Sequence, residues 1–235
     1  MILVSIIKQE ENMGKRIIVN KLGSDHFAEE RNNQDFCVSL PTLKMVLDGC
    51  GSQRFSEIGT RLFAQLFTEN MPETINKDNF EERVKETFAR LISIFPSEEY
   101  YASNLSFTIL ACFETEEEFI VFSCGDGYIV IDDGEKIGFM QLDDGEFPKY
   151  YIYNYVKKEN LQAYQEGVSF SVHHFSKDMV KNVGVATDGL RFYEELDILE
   201  KNKLRQALQD GKEGKIKILI NRNHLIFKDD ITICF

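Results

Sequence analysis

Several aspartates in this chain each end a hydrophobic run and stand beside a glycine or in a short polar turn. They occur in Leu47-Asp48-Gly49-Cys50-Gly51-Ser52, Cys124-Gly125-Asp126-Gly127, Ala186-Thr187-Asp188-Gly189 and Lys228-Asp229-Asp230-Ile231-Thr232. The runs predict strands, so the carboxylates are expected at strand ends, where glycine permits a sharp turn. Carboxylates gathered in this way repel one another unless a hard divalent cation lies among them. The pattern therefore predicts a hydrolase with two oxygen-ligated metal ions.

The composition predicts one domain spanning residues 1–235, because no linker, low-complexity tract or repeat interrupts it. A formal net charge of -12 argues against a nucleic-acid partner, which needs clustered Lys and Arg. If the substrate is a phosphate ester, bound metal must invert this acidic field locally. The apolar stretch Met1–Ile7 is too short to span a membrane, and we expect an edge strand or a loosely attached arm there.

Five cysteines show neither CxxC spacing nor an even count. They are Cys37, Cys50, Cys112, Cys124 and Cys234. Because four of them lie within or beside apolar strand-like runs, the sequence predicts buried free thiols in a reducing cytoplasm.

Hydrophobic periodicity predicts more strands than helices. The predicted strands are 16–22, 35–38, 44–47, 105–113, 119–123, 128–131, 137–142, 168–173, 183–186 and 231–235. Asp132-Asp133-Gly134 signals a hairpin, and the short connections in the middle of the chain favour antiparallel pairing. The expected fold class is an α+β sandwich rather than a doubly wound sheet.

Three helices are predicted between the blocks of strands. The first has Ser56 as its N-cap, and the second begins with a capping box from Asp78 and Glu81 and stops before Pro96. The third covers 196–208 with Gly211 behind it. Residues 216–220 form a short apolar segment, and about 144–166 is predicted as an irregular flap.

In order along nearly the whole chain, these motifs resemble those of the metal-dependent serine/threonine protein phosphatases of type 2C, the PPM family, particularly its compact bacterial branch. The matching segments are Gly23-Ser24-Asp25-His26, Asn33-Gln34-Asp35, Asp48-Gly49-Cys50-Gly51-Ser52, Ser56-Glu57-Ile58-Gly59, Ser106-Phe107-Thr108, Cys124-Gly125-Asp126-Gly127, Ala186-Thr187-Asp188-Gly189-Leu190 and Asp229-Asp230-Ile231-Thr232. The resemblance implies a four-layer αββα sandwich of two mainly antiparallel sheets flanked by helices, with a binuclear metal centre at one end.

The resemblance also implies a ligand set for two Mg²⁺ or Mn²⁺ ions. Asp48 would bridge both ions, the carbonyl of Gly49 would bind one of them, and Asp188 and Asp229 would complete the other shell. Asp126 matches an aspartate that helps to hold a third, weakly bound ion in some members, and Asp35 matches an acidic residue whose contact is often through water. Such ions can activate a water for in-line attack on a phosphate, so no Cys or Ser nucleophile is needed.

Two departures from the family pattern concern phosphate and metal binding. Many members carry an arginine before the Asn-Glu-Asp motif, whereas here Glu30 stands at that place and Arg31 lies one position nearer the motif. Gln34 replaces a glutamate found in many members, which removes a negative charge. His26 is a candidate general acid for the leaving alkoxide, with a simple hydrogen-bonding role as the alternative.

For other candidate residues, a structural role is an alternative to a functional one. Asp126 could be a hairpin residue, Asp230 is expected to hydrogen-bond the turn rather than bind metal, and His173 and His174 must point to opposite faces of a strand. The tyrosine-rich segment 150–155 could contact a phosphopeptide or serve as a covering strand.

The sequence thus predicts a cytoplasmic Mg²⁺/Mn²⁺-dependent phosphatase that acts on phosphoserine or phosphothreonine in proteins. The expected partners are a phosphorylated protein substrate and a cognate kinase, with no nucleic acid and no membrane. The rival prediction is a catalytically weak phosphatase-like module that binds and regulates a phosphoprotein.

Overall fold

The computed structural model describes residues 16–69, 71, 75–142, 145 and 147–235, so the predicted arm Met1–Ile7 lies outside the described residues. Its strands are β1 (Ile18–Lys21), β2 (Phe36–Leu40), β3 (Leu43–Gly49), β4 (Phe107–Glu114), β5 (Glu118–Cys124), β6 (Gly127–Asp132), β7 (Ile137–Leu142), β8 (Ser171–Ser176), β9 (Asn182–Ala186) and β10 (Ile231–Cys234). Its α-helices are α1 (Ser24–Ala28), α2 (Ser56–Thr68), α3 (Lys77–Ile92), α4 (Glu98–Asn104), α5 (Ile198–Gln209) and α6 (Glu213–Arg222). Three short 3-10 helices cover Tyr151–Asn154, Lys158–Asn160 and Asp188–Glu195.

The strands form two five-stranded sheets in which every described pairing is antiparallel. The first sheet has the order β1-β10-β9-β6-β7, and the second has the order β2-β3-β4-β5-β8. β6 and β7 are joined by the predicted hairpin, where Gly134 takes a φ of 95° that favours glycine. The order brings β9 and β10, which are distant in sequence, side by side at the middle of the first sheet.

The two sheets stack face to face through a layer of apolar side chains from both. Val46 and Leu110 of the second sheet pack in one cluster with Val183 and Val185 of the first. Successive residues of a strand point to opposite faces, so Leu47, next to Val46 in β3, packs on the other side of its sheet. Central strands are therefore apolar on both faces, which is why they read as continuous hydrophobic runs.

Each sheet also buries its outer face under helices. On the second sheet, α2 and α3 contribute a phenylalanine-rich core in which the rings of Phe80 and Phe122 stack with centroids 4.2 Å apart. On the first sheet, α5 and α6 bury Leu204 and Ile216. The expected four-layer αββα sandwich is confirmed.

The helix boundaries correct two details of the sequence prediction. Ser56 lies in the first turn of α2, so Phe55 is the N-cap, and its apolar side chain forms no cap hydrogen bond. The capping box of α3 is made by Asn76 and Asn79, whose side chains and backbone amides bond each other, and not by Asp78 and Glu81.

Three α-helices, α1, α4 and α6, were not anticipated. The short apolar segment 216–220 lies in α6 and supplies its buried residues. Polar residues lie between the apolar ones, so the helical periodicity was not recognised in the sequence. A further short helix, α4, follows Pro96.

The segment predicted as a flap packs closely on the helical layer over its described part. Tyr151 and Ile152 are buried, and the ring centroid of Tyr151 lies 5.2 Å from that of Phe88. Two 3-10 helices replace the alternative of a covering strand. The tyrosines of this segment therefore serve to pack it against the helical layer.

All five cysteines are free thiols, as predicted; Cys112, Cys124 and Cys234 are buried, whereas Cys37 and Cys50 are only partly buried. His173 and His174 make separate contacts, with Ser123 and Glu118 respectively, and not a shared site. Among the described residues, no helix is long and apolar enough to cross a membrane.

Candidate active site

Asp48 and Gly49 are the last residues of β3, at one end of the second sheet. Asp48 pairs in register with Thr108 of β4. A Cβ on Gly49 would lie 2.6 Å from the Ser56 hydroxyl and 2.8 Å from the carbonyl oxygen of Gln34, so no larger residue fits. Glycine at this position lets the loop after β3 fold tightly against α2.

Asp188 and Asp229 are brought together by the first sheet. Ala186 at the end of β9 pairs with Ile233 of β10, so the turn after β9 lies beside the turn before β10. A Cβ on Gly189 would stand only 1.9 Å from the carbonyl oxygen of Asp230. The close approach of these two turns explains the glycine after Asp188.

The carboxylates of both sheets share one electrostatic environment. Burial raises the pKa of Asp48 well above its usual range, and the carboxylates of Asp35, Asp188, Asp229 and Asp126 raise it further. Burial and, next, Asp188 raise the pKa of Asp229. The predicted strand-end aspartates therefore face the same end of the sandwich.

Asp126 reaches this end from the turn between β5 and β6. The glycines on both sides, Gly125 and Gly127, have φ values of 107° and 130°. Gly127 also packs closely, since a Cβ there would lie 2.7 Å from the carbonyl oxygen of Ala186. The turn is thus shaped by glycine geometry, and both readings of Asp126 remain consistent with its position.

Asp35 is buried where the two sheets meet. Its Oδ2 accepts a hydrogen bond of 2.7 Å from the hydroxyl of Thr187, and its Oδ1 has no hydrogen-bond partner among the described residues. Burial, followed by the charge of Asp230, raises the pKa of Asp35 well above its usual range. Thr187 in turn accepts from the amide of Thr232, which fixes the turn next to Asp188.

Asp230 is a hydrogen-bonding residue, as expected from its sequence. Its Oδ1 accepts from the amide of Gly23 at 2.9 Å, and its Oδ2 accepts from the amide of Gln34 at 2.7 Å. The Nδ1 of His26 lies 3.0 Å from the same Oδ2. One buried carboxylate therefore ties the segments around Gly23, His26 and Gln34 to the start of β10.

His26 is directed toward the loop that follows Asp48. Its Nε2 lies 3.7 Å from the position that a Cβ on Gly51 would occupy. The hydrogen bond to Asp230 raises the pKa of His26, burial opposes this, Asp229 adds to the rise and Arg31 lowers it. The net direction is upward, which favours a protonated imidazole.

Arg31 and Gln34 have well-defined contacts. The Nη1 of Arg31 donates to the carbonyl oxygen of Gly51, and its Nε lies 2.7 Å from a carboxylate oxygen of Glu29. Gln34 is buried and donates from Nε2 to the carbonyl oxygen of Gln53 at 2.5 Å. A glutamate at position 34 could not make that donation, so glutamine suits this loop.

Arg191 is a site residue that the sequence analysis missed. Its Nη1 pairs with Asp188 Oδ2, and its Nη2 lies 3.1 Å from Asp229 Oδ2. The sequence did contain one signal of this pairing, because Arg191 follows Asp188 by three residues and such residues are neighbours on a helical turn.

The oxygen donors fit a hard divalent cation. Among the residues that the structure describes, no three His, Cys, Asp or Glu side chains stand close enough to enclose an ion in this conformation. Coulombic interactions extend over longer distances than metal–ligand bonds do. The carboxylates can therefore raise one another's pKa although they are spaced too widely to enclose an ion. The donors are carboxylate oxygens, and Asp35 Oδ1 is buried without a partner, which a metal-bound water could satisfy.

Comparison with known proteins points to one family. The family model described as protein phosphatase 2C matches residues 22–212. No curated protein sequence matches the chain significantly.

The chain is also similar in fold to solved bacterial phosphatases. A bacterial serine phosphatase is 13% identical, with a TM-score of 0.65 over 94% of this chain and 96% of that chain. The serine/threonine phosphatase Stp1 from Staphylococcus aureus is 12% identical, with a TM-score of 0.61 over 97% and 98% of the two chains. The catalytic domain of the serine/threonine protein phosphatase PstP, solved with two manganese ions, is 14% identical, with a TM-score of 0.60 over 93% and 95%.

Proposed function

We propose that this chain, which belongs to the protein phosphatase 2C family, hydrolyses phosphoserine and phosphothreonine in proteins with a metal-activated water. The observation that carries the proposal is the convergence of Asp48, Asp188 and Asp229 from strand ends of two different sheets. A core needs no such gathering of like charges, whereas a metal-dependent hydrolase does.

Two Mg²⁺ or Mn²⁺ ions are the proposed cofactors. Asp48, the carbonyl of Gly49, Asp188 and Asp229 would hold them, with Asp35 acting through water. Asp126 would help to hold a third, weaker ion. The solved PstP domain with two manganese ions supports this choice. When bound, such ions supply a nucleophilic water and neutralise charge on the phosphate.

Residues of the chain position and protonate the reacting groups. We assign to His26 the role of general acid toward the leaving alkoxide of serine or threonine. Nδ1 lies 3.0 Å from the carboxylate of Asp230, which leaves Nε2 as the atom that would deliver the proton. The pKa of His26 is raised above its usual value, which favours the protonated imidazole that this role needs.

A phosphorylated protein is the proposed substrate, and a cognate kinase is the proposed functional counterpart. The bacterial serine/threonine phosphatases of similar fold support this choice. We also propose a cytoplasmic location, which the five free thiols support.

Hydrolysis of p-nitrophenyl phosphate and of a phosphothreonine peptide tests the proposal. We expect activity that EDTA abolishes and that Mn²⁺ or Mg²⁺ restores. A phosphotyrosine peptide of the same sequence provides the comparison for substrate class. Activity that survives exhaustive chelation would contradict the metal-dependent mechanism.

The rival function, a catalytically weak regulatory module, rested on Gln34 and on the shifted arginine. Gln34 now has a structural reason, because its amide donates to Gln53 in a buried loop. The rival predicts a protein that binds a phosphopeptide tightly but turns it over no faster in Mn²⁺ than in EDTA. The same assay therefore separates the two functions.

A further inference from the structure

We propose that Arg191 binds the phosphate group of the substrate, an inference that rests on the proposed phosphatase function. Arg191 lies on the turn after β9, in a different part of the site from Arg31, and would serve as the phosphate-binding arginine of this chain. The geometry of the two carboxylates beside Arg191 carries the inference.

The guanidinium of Arg191 lies across the two carboxylates proposed to hold metal. Nη1 pairs with Asp188 and Nη2 with Asp229, each through the Oδ2 atom of the carboxylate. Cζ also lies 4.9 Å from the ring centroid of Phe192, a cation–π distance that restrains the guanidinium from the side. Arg191 is thus held at the proposed reaction centre by three neighbours.

Arg191 is the most exposed member of this group. Its side chain is 48% exposed, compared with 18% for Asp188 and 35% for Asp229. A guanidinium carries five N–H donors, and the two ion pairs do not use all of them. The remaining donors suit the oxygens of an arriving phosphate, which arginine binds through paired hydrogen bonds.

The negative charge around Arg191 favours a role in binding an anionic substrate. The chain has a formal net charge of -12, and at least five aspartates share the environment of this site. These aspartates repel an approaching phosphate dianion in the absence of metal, and a cation at the opening would add to the attraction that the proposed ions supply. Arg31 contacts Glu29 and the carbonyl of Gly51, and its side chain is 34% exposed, compared with 48% for Arg191.

The alternative is that Arg191 only neutralises Asp188 and Asp229. Arg191→Ala and Arg191→Lys distinguish the two roles. Arg90→Ala is the matched control, because Arg90 also pairs with a carboxylate, that of Glu69 at 3.0 Å, but on the helical layer over the second sheet.

Two measurements are needed. The first is steady-state hydrolysis of a phosphothreonine peptide, for which we expect Arg191→Ala to raise KM about 10-fold or more, with a smaller change in kcat. Arg191→Lys should recover part of the loss, since lysine keeps the charge but not the paired donors. The second is thermal melting in Mg²⁺ with and without inorganic phosphate.

In the melting experiment, wild-type and Arg90→Ala proteins should gain stability from phosphate, and Arg191→Ala should lose that gain while keeping its response to Mg²⁺. An unchanged KM with an unchanged phosphate response would overturn the inference. Equal losses of the Mg²⁺ and phosphate responses would also overturn it, because Arg191 would then act only through the carboxylates. If wild-type protein has no metal-dependent activity, the proposed function itself fails.

Discussion

Asparagine in place of Asp188 or Asp229 tests whether these residues bind metal or only shape their turns. Each substitution keeps the size of the side chain and removes one negative charge. The structure allows the effect to be estimated separately without and with metal, because the contacts of both carboxylates are known.

Without metal, the expected change in folding stability is small. Asp229→Asn relieves repulsion from Asp188, which raises the pKa of Asp229 in the wild-type protein. It also weakens the pair with Arg191 at 3.1 Å, which is partly exposed and is worth at most about 1 kcal/mol. These two effects oppose each other, so we expect the free energy of unfolding to change by no more than about 1 kcal/mol in EDTA.

With metal, the two variants should differ clearly from wild type. Loss of a charged ligand that lowers metal affinity 10- to 100-fold removes about 1.4–2.7 kcal/mol of ligand-linked stability at a fixed metal concentration. For a chain of 235 residues this corresponds to a Tm increase on metal addition that is smaller by about 3–10 °C. Turnover should fall at least ~100-fold, since charge stabilisation in the transition state is lost.

The assay is thermal melting in EDTA and in Mn²⁺, together with peptide hydrolysis. Asp210→Asn is the control, because Asp210 is an aspartate that pairs with Lys212 at the end of α5. It should behave as wild type in both buffers. A wild-type metal response in both Asp188→Asn and Asp229→Asn would remove these residues from the metal site and refute the reasoning.

Three further expectations concern the thiol, the histidine and the core. Cys50→Ala should keep most of kcat, because water rather than sulfur is the proposed nucleophile; steady-state kinetics of the folded variant measure this, and loss of turnover would indicate a thiol mechanism. The raised pKa of His26 means that its pairing with Asp230 stabilises the fold fully below the unfolded pKa of about 6.5 and is lost as the pH rises through the folded pKa. Thermal melts in EDTA should therefore show the largest deficit of His26→Asn near pH 6, and a constant deficit up to pH 9 would argue against the pair. Phe80→Ala should lose about 3–5 kcal/mol in urea denaturation, because its fully buried ring stacks on Phe122; Phe55→Ala, at a half-exposed ring, should lose far less.

The elements that carry the site can be predicted from the sequence. Runs such as those ending at Asp48 and Ala186 are apolar because their strands are buried between a second sheet and a helical layer, and this double burial is visible without coordinates. Turns can also be predicted from a few neighbouring residues, as the hairpin with Gly134 shows. Helix ends were less well determined, since neighbouring polar residues such as Asn76 and Asp78 can each cap a helix.

Which of these residues come together depends on long-range strand pairing. Pairing of β9 with β10 places Asp188 beside Asp229, although about forty residues separate them in the chain. Asp230 joins His26 and Gln34, the first through an ion pair and the second through a hydrogen bond, and no periodicity encodes either contact. Arg191 shows the same limit most clearly, because an arginine in a helical turn looks like a solvated surface residue until a second carboxylate is brought to it by long-range strand pairing.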